Sequence, residues 1–197
     1  EKVKCGKIFF KQEEITGMSV KERCKRGIGY IPSDRYKRAI LPGFSLKDNY
    51  LLGNQYKDSY ARKGMLNQEY IEKKTKELME KFDVRAVNGD QLIGALSGGN
   101  QQKLVLSREV DKDPDLILAC QPVRGLDIGA IKFIHNVLLE LRNQGKAVLL
   151  ISAELSDLFQ LSDRIGVLYK GEMMSLQETE KYTTESISLL MAGKKGV

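Results

Sequence analysis

The residues of this chain that are best suited to hold an anion lie in the segment LSGGNQQK, residues 96–103. Gly98 and Gly99 are consecutive at a predicted helix start, where they let the backbone approach a ligand closely. Ser97 adds a hydroxyl group and the helix dipole adds partial positive charge, so these residues suit a phosphate group. The alternative is that Ser-Gly-Gly only begins a helix, and the segment alone leaves both interpretations open.

A second candidate is the segment LILACQPVRGLD, residues 116–127, in which an apolar strand is followed by Cys120, Gln121, a proline and a turn. A neutral thiol is a poor ligand for a hard cation such as Mg²⁺, which prefers oxygen. An amide can hold a water molecule by hydrogen bonds but cannot accept its proton at neutral pH. This strand end therefore has the outline of a catalytic site without groups for metal binding or base catalysis.

The second half of the chain, which must position both segments, alternates helices with apolar strands. A helix begins at Ser97, another spans residues 129–144, and a third lies near ELSDLFQLS. The strands between and after them read LILA, AVLLIS and RIGVLY, the last turning at Lys170-Gly171. Strands that are apolar throughout and alternate with helices predict an α/β fold with a parallel sheet covered on both faces.

The first half predicts short strands with a hairpin near Cys5-Gly6, a helix between Ser19 and Gly27, and a strand at IGYIP. Residues 33–45 are polar, basic and broken by proline and glycine, which predicts a loop. Residues 46–82 are predicted to be helical. The apolar face of this region consists of Ile71, Thr75, Leu78, Met79 and Phe82.

The composition indicates a folded domain that works without nucleic acid. With 197 residues, of which 42% are hydrophobic, the chain can bury the core of one domain. Its net charge of +6 is spread along the chain among 26 acidic residues, and no aromatic–basic motif of an RNA-binding sheet appears. We therefore expect no nucleic-acid partner.

The sequence also predicts a cytosolic setting. No apolar run approaches the roughly 20 residues of a membrane span, and the charged opening EKVKCGKIFF lacks the apolar region of a signal peptide. Cys5, Cys24 and Cys120 are scattered without a CxxC pair, which is typical of reduced thiols rather than of disulfides or a zinc site.

The order of these segments resembles the nucleotide-binding domains of ABC transporters, and the resemblance covers essentially the whole chain. LSGGNQQK is similar to the family signature, the strand at residues 116–120 to the Walker B strand, and Gly125-Leu126-Asp127 to the D-loop. The strand ending at Ile151-Ser152 is similar to the one before the switch histidine, and SDRIGVLYKGE to the closing hairpin. The combination of these motifs at these spacings is highly specific.

This resemblance implies an α/β, P-loop NTPase-like cassette with a mainly parallel sheet flanked by helices, a small β subdomain and a helical subdomain. We predict the β subdomain and Q-loop region over residues 1–45 and the helical subdomain over residues 46–90. The signature, Walker B, D-loop and switch region then occupy residues 91–197. GIGYIPSDR, RGLDIGA and LSGGNQQK resemble the C-terminal cassette of fused ATPase subunits of bacterial simple-sugar and nucleoside importers, and KAVLLISAEL favours the nucleoside branch.

Several positions depart from the family pattern. The chain contains no G-x-x-x-x-G-K-[ST] loop, so we expect a cassette without its first strand, P-loop and following helix, either trimmed or a natural remnant. Cys120 stands at the Walker B aspartate, Gln121 at the catalytic glutamate and Ala153 at the switch histidine. Ser33 occupies the Q-loop position, where a metal or phosphate role is weakly supported.

The only histidine, His135, lies in the middle of a predicted helix and is interpreted as structural.

The chain keeps the signature but lacks the catalytic groups, which implies that it contributes the signature to the ATP site of a partner cassette. In the family, two cassettes sandwich two ATP molecules, each between the P-loop side of one cassette and the signature of the other. The residues that would face the ATP of a partner cassette are Ser97, Gly98, Gly99, Asn100 and Gln101, with Asp127 reaching across the interface. No catalytic residue is expected in cis, and the chain alone is predicted to be inactive.

The resemblance also implies the partners. ATP and Mg²⁺ belong to the assembled transporter, with none expected on this chain alone. The partners are a second cassette (the N-terminal half of the same polypeptide or a second copy), transmembrane permease subunits and, indirectly, a solute-binding protein. The expected location is the cytoplasmic face of the plasma membrane, as a peripheral subunit.

Two alternatives remain. In the first, the chain is a non-catalytic scaffold that docks the membrane subunit through residues 32–45, and its signature is a relic. Residues 32–45 can also be explained as a solvated basic loop. In the second, the chain is a fragment of a DNA-repair or chromosome-maintenance ATPase. Those proteins insert a long coiled coil, for which the helical region of residues 46–82 is too short.

Overall fold

The structure, a computed structural model, describes residues 3–194. The chain divides into two compact units, Glu1–Leu149 and Leu150–Val197. The boundary between these units differs from the predicted subdomain boundaries after residues 45 and 90. Those two boundaries stay predictions. The outer limits of the predicted domains, residues 1 and 197, lie outside the described residues.

The first unit begins with a hairpin of strands β1 (Phe9–Phe10) and β2 (Glu13–Glu14), which pair antiparallel. Its two-residue turn consists of Lys11 and Gln12, both left-handed, with φ of 49° and 67°. Consecutive left-handed residues give a turn whose twist matches that of the paired strands. The hairpin predicted near Cys5-Gly6 is therefore wrong in position, because the turn forms at two residues that carry no turn signal.

Helix α1 (Val20–Lys25) follows, and its start is fixed by a capping box. The Oγ of Ser19 accepts a hydrogen bond from the backbone N–H of Glu22, and the Glu22 carboxylate accepts one from the N–H of Ser19. The chain leaves the helix at Gly27, whose φ of 91° favours glycine. The predicted helix between Ser19 and Gly27 is confirmed, as is the strand after it, β3 (Ile28–Ile31).

Within the predicted loop of residues 33–45, the chain forms a short helix, α2 (Arg35–Arg38). Asp34 starts it, since its Oδ1 accepts from the backbone N–H of Lys37 at 3.1 Å. Aspartate is among the strongest N-cap residues, so one turn forms where the surrounding sequence favours a loop. The loop prediction is wrong for this turn.

The predicted helical region of residues 46–82 contains two helices, α3 (Leu46–Leu51) and α4 (Gln68–Lys81). A small hairpin of β4 (Ala61–Arg62) and β5 (Met65–Leu66) lies between them, so the prediction is wrong there. Left-handed residues at its turn, with φ of 51° and 81°, break the helical course of the backbone. The predicted apolar face is confirmed in its buried residues, Ile71, Thr75, Leu78 and Phe82.

The elements that carry the candidate site follow in the order α5, β6, α6 and β7. Their bounds are Gly98–Val110, Leu116–Cys120, Ile128–Asn143 and Ala147–Ile151. Strands β3, β6 and β7 form one sheet in this order, and β3 pairs parallel with β6, from Ile28 opposite Leu116 to Ile31 opposite Ala119. The helix between β6 and β7 is the connection that parallel neighbours require. The predicted α/β architecture is thus confirmed.

Burial differs between the strands of this sheet. In β3 and β6, Ile31, Ile117 and Ala119 are fully buried. In β7, Leu149 and Ile151 are 54% and 52% exposed, and exposed and half-buried residues alternate along the strand. The prediction that AVLLIS is buried on both faces is therefore wrong for the described structure, because an apolar run does not reveal which of its faces the chain covers.

The second unit contains α7 (Leu155–Leu161), β8 (Arg164–Tyr169), β9 (Glu172–Glu178) and α8 (Thr184–Met191). Strands β8 and β9 form the predicted hairpin, with left-handed residues at Lys170 and Gly171. Its core consists of Ile165, Val167, Tyr182, Ile187 and Leu190. In the part of the chain that the structure describes, no helix is long and apolar enough to cross a membrane.

Candidate functional site

The exposed hydroxyl of Ser97 lies at the N-terminus of α5, where Ser97 is the N-cap residue. Its Oγ accepts from the backbone N–H of Asn100 at 3.4 Å and from the Asn100 Nδ2 at 3.1 Å. Both contacts use the oxygen as an acceptor. The hydroxyl proton of Ser97 therefore remains for an acceptor outside the chain.

The backbone of the first turn offers two more donors. The first N–H groups of an α-helix have no acceptor within the helix. Here Ser97 satisfies one of them, since its Oγ accepts from the N–H of Asn100. Its carbonyl accepts from the N–H of Gln101 at 3.0 Å, which is the first hydrogen bond within the helix. The N–H groups of Gly98 and Gly99 remain, and together with the serine hydroxyl they form a donor set that fits phosphate oxygens.

Packing within the chain also restricts the space beside the two glycines. A Cβ atom at Gly98 would lie 2.6 Å from the Nη2 of Arg35. At Gly99 it would lie 3.0 Å from the Cβ of Ala130 and 3.1 Å from the Oδ2 of Asp127. The sequence offers ligand approach or a helix start as reasons for these glycines, and these contacts could not be predicted because nothing in the sequence places Arg35 beside the segment.

Gln101 is turned inward and does not line the outer face with Asn100, contrary to expectation. Its side chain is fully buried, and its Nε2 donates to the carbonyls of Ile93 and Leu96 at 3.2 and 3.1 Å. Its Oε1 accepts from the Nε of Arg35 at 3.1 Å. Because successive helical residues point about 100° apart, the two amides cannot share one face.

Asp127 lies beside the first turn of α5. It is the N-cap of α6, and its Oδ1 accepts from the backbone N–H of Ala130 at 2.9 Å. This hydrogen bond is the main reason why the pKa of Asp127 is lowered from its ordinary value. The structure thus brings together the residues of the LSGGNQQK and RGLD segments, which the sequence places in separate elements.

Ser33 follows β3 by two residues and Cys120 is the last residue of the parallel neighbour β6, so both belong to the carboxyl edge of the sheet. Burial raises the pKa of the Tyr30 hydroxyl, and the electrostatic interaction with Cys120 raises it further. Gln121 has a left-handed backbone with φ of 49°, and its carbonyl accepts from the N–H of Arg124 at 3.2 Å. The strand end presents sulfur and amide groups, a donor set that does not fit Mg²⁺.

A profile described as ABC transporter matches residues 1–124. The chain belongs to the ABC transporter family. The guanosine import ATP-binding protein NupO of Bacillus subtilis is 41% identical over 192 residues, covering 98% of this chain and 38% of NupO. The nucleoside import ATP-binding protein NupA of Lactococcus lactis is 38% identical over 192 residues, with the same two coverages. The chain therefore spans less than half the length of these relatives.

The fold agrees with this assignment. The dimeric structure of the ATP-binding cassette MJ0796, in a post-hydrolysis state bound to ADP and Pi, is similar with a TM-score of 0.75 at 22% identity. The match covers 92% of this chain and 77% of that cassette. The predictions that residues 96–103 are the signature segment and residues 125–127 the D-loop segment stay predictions.

Ala153, which the resemblance places at the switch-histidine position, belongs to the second unit. Ala153 follows β7 and has a methyl side chain, which cannot form hydrogen bonds. The preceding Ser152 donates from its Oγ to the Oδ2 of Asp157 at 2.9 Å and accepts from the N–H of Glu154 at 3.0 Å.

His135 is buried on α6, as its interpretation as a structural residue requires. Across residues 3–194, no group of three or more His, Cys, Asp or Glu side chains could hold a metal ion.

A groove of about 310 Å³ lies beside α2. Its lining residues are Lys37, Arg38, Ala39, Ile40, Leu41, Leu52, Gly53 and Arg108. Arg108 is only 5% exposed, and it donates from Nη2 to the carbonyl of Ala39 at 2.9 Å and from Nη1 to that of Asn49 at 2.8 Å. Burial lowers the pKa of Arg108. Sequence analysis missed Arg108, because a charged residue on an amphipathic helix is ordinarily read as exposed.

Asn49 gives the groove its shape. Its Nδ2 donates to the carbonyls of Leu41 and Ser45 at 3.1 and 2.9 Å, and its Oδ1 accepts from the N–H of Leu41 at 2.8 Å. A fully buried amide thus holds the loop after α2 in place. The predicted docking surface, residues 32–45, is therefore an ordered segment that forms one wall of the groove.

Proposed function

We propose that this chain is a catalytically degenerate cassette of an ABC importer ATPase and supplies its signature segment to the ATP of a partner cassette. The observation that carries the proposal is a contrast within one unit. The hydroxyl of Ser97 is exposed and the N–H groups of Gly98 and Gly99 in the first turn have no acceptor within the helix, whereas the end of β6 offers only Cys120 and Gln121. A cassette with these two properties can complete the ATP site of a neighbouring cassette without hydrolysing ATP at its own site.

The solute class follows from the relatives. NupO and NupA are named as guanosine and nucleoside import proteins, and a ribose import ATP-binding protein of Bacillus cereus is 32% identical over 193 residues. We infer import of a nucleoside or a simple sugar. These relatives favour an importer over a DNA-repair ATPase. From the resemblance of GIGYIPSDR, RGLDIGA and LSGGNQQK to such cassettes, we infer that the chain is the C-terminal cassette of a fused subunit, with the N-terminal half or a second copy as its partner.

The chemistry in trans is electrostatic. The Ser97 hydroxyl and the N–H groups of Gly98 and Gly99 donate hydrogen bonds to γ-phosphate oxygens, with Asn100 at the rim and Gln101 supporting the turn from within. Donors aimed at developing charge in a water-excluded site contribute strongly to catalysis. The Mg²⁺ ligands and the base come from the partner cassette, since Cys120, Gln121 and Ala153 supply neither.

Docking to the membrane subunits is assigned to the groove beside α2. Its wall combines the apolar side chains of Ile40, Leu41 and Leu52 with the cations of Lys37 and Arg38. Such a surface fits an amphipathic helix of a transmembrane permease subunit. The cassette is then a peripheral subunit on the cytoplasmic face of the plasma membrane, and a solute-binding protein acts only through the permease.

The second candidate function is a non-catalytic scaffold. The ordered groove favours this function as much as it favours the first. The two functions differ in what Ser97 does. In the complete importer, Ser97→Phe removes the hydroxyl and covers the outward N–H groups, whereas Ser97→Thr keeps both the hydroxyl and the helix cap.

The proposed function expects Ser97→Phe to lower ATPase activity and uptake by at least about tenfold, as for loss of a transition-state donor, and Ser97→Thr to retain them. Equal activity of the two variants would establish the scaffold instead. The purified chain should show no ATP turnover and only weak ATP affinity in equilibrium binding.

A further inference from the structure

We propose that Arg35 is a positioning residue of the signature segment, an inference that rests on the proposed function. Arg35 is the first residue of α2 and comes two residues after Ser33. Its Nε donates to the Oε1 of Gln101 at 3.1 Å, and its Nη2 lies against Gly98. The guanidinium therefore joins the segment after β3 to the first turn of α5.

The acceptor for Arg35 is held in a single orientation. Gln101 is fully buried, and its Nε2 is already bonded to the carbonyls of Ile93 and Leu96. Rotating the amide by half a turn would break both bonds and bring two donors together. The Oε1 of Gln101 thus faces Arg35 in every conformation that keeps the core satisfied.

Gly98 also contacts the guanidinium group of Arg35. A Cβ atom there would lie 2.6 Å from the Nη2 of Arg35, so only glycine lets the planar group lie this close to the turn. The ring centroid of Tyr36 lies 5.5 Å from the Arg35 Cζ. Arg35 therefore contacts the side chain of Gln101, the backbone at Gly98 and the ring of Tyr36.

This arrangement ties the geometry of the outward donors to Arg35. The guanidinium adds positive charge beside the positive end of the α5 dipole, a pairing that favours an anion at that end. Without Arg35, the buried Oε1 of Gln101 loses its donor and the space beside Gly98 opens. The Ser97 hydroxyl and the glycine N–H groups are then less well placed, and electrostatic stabilisation depends on such placement.

The test uses the complete importer, with its partner cassette and membrane subunits, and compares Arg35→Gln, Arg35→Lys and Arg62→Gln, with Ser97→Phe as the reference. Arg62 is an exposed residue of the β4–β5 hairpin and serves as the matched control. We expect Arg35→Gln to lower kcat for ATP by about tenfold with KM changed by less than about threefold, because the signature contact forms after ATP is held by the partner. Arg35→Lys should recover only a small part of kcat, because lysine lacks the planar fork.

Three results would overturn the inference. In the first, Arg35→Gln has a kcat close to that of Arg62→Gln while Ser97→Phe is inactive. This result would show that Arg35 does not position the signature segment, and it would leave the proposed function intact. Full recovery of kcat by Arg35→Lys shows that charge alone matters. Full activity of Ser97→Phe removes the proposed function and the inference with it. Unfolding midpoints of all variants are measured beside kcat, and if Arg35→Gln does not fold, the comparison of Arg35→Lys with Arg62→Gln decides.

Discussion

The Oδ2 of Asp127 lies 3.1 Å from the position that a Cβ atom would take at Gly99. The carboxylate belongs to the RGLD segment and the glycine to the LSGGNQQK segment, so these two segments contact each other within one chain. A side chain at Gly99 would crowd this carboxylate.

Gly99→Ala should destabilise the chain by about 1–3 kcal/mol, because the new methyl group would crowd the Cβ of Ala130 on a neighbouring helix. Gly98→Ala should cost less, because it meets only the flexible end of Arg35. Urea unfolding measures both. Gly43→Ala is the control, since nothing lies within 4 Å of a Cβ atom there. Equal midpoints for Gly99→Ala and Gly43→Ala would contradict the packing argument.

Arg108→Met should lower the free energy of unfolding by about 3 kcal/mol, a cost typical of breaking a buried polar network. The carbonyls of Ala39 and Asn49 would lose the donor that Arg108 provides, and the carboxylate of Glu109 would lose one of its donors. Arg124→Met, at an exposed position, is the matched control and should change stability by less than about 0.5 kcal/mol. Chemical denaturation of both variants decides, and similar values would mean that Arg108 is dispensable.

Asp127 predicts a pH dependence with a definite sign. Its pKa is lowered in the folded chain, chiefly by the hydrogen bond from Ala130, so the folded state binds its proton less readily than the unfolded state. This contribution to stability is present above the ordinary aspartate pKa of about 4 and is lost as the pH falls through the lower folded value.

Asp127→Asn keeps an N-cap acceptor but removes the titrating group. The difference in unfolding midpoint between the wild-type chain and Asp127→Asn should therefore shrink from neutral to acidic pH. A difference that stays constant over this range would show that the carboxylate charge contributes nothing.

Restoring the family residues at the end of β6 should not restore ATP turnover. Cys120→Asp with Gln121→Glu would return an oxygen ligand and a base. The chain still contains no G-x-x-x-x-G-K-[ST] sequence to hold phosphates, so the purified double variant is expected to remain inactive in a phosphate-release assay. Measurable turnover by this variant would show that the chain has its own nucleotide site.

The order of elements and the motifs could be predicted because they depend on local signals. Ser19, Ser97 and Asp127 each begin a helix as strong N-cap residues, and Gly27 and Gly145 follow helix ends with left-handed φ. These signals lie within a few residues of the feature that they determine. The same is true of the hairpin at Lys170-Gly171.

The remaining features depend on contacts between distant residues. Arg35 and Gln101 are 66 residues apart, and nothing in either neighbourhood indicates their hydrogen bond. The burial of Arg108 depends on the carbonyls of Ala39 and Asn49, 69 and 59 residues away. Gln101 was expected on the outer face because the motif groups it with Ser97, whereas helical periodicity turns it toward the core.

Helix α5 is joined to α2 near both of its ends, by Arg35 with Gln101 at the beginning and by Ala39 with Arg108 at the end. Because α5 is attached to the same short segment at two well-separated points, it cannot rotate about either of them. A displacement of α2 would therefore move both ends of α5 together, since a close-packed interior transmits such displacements. A force on the groove wall would thus displace the N-terminal end of α5 by a similar distance.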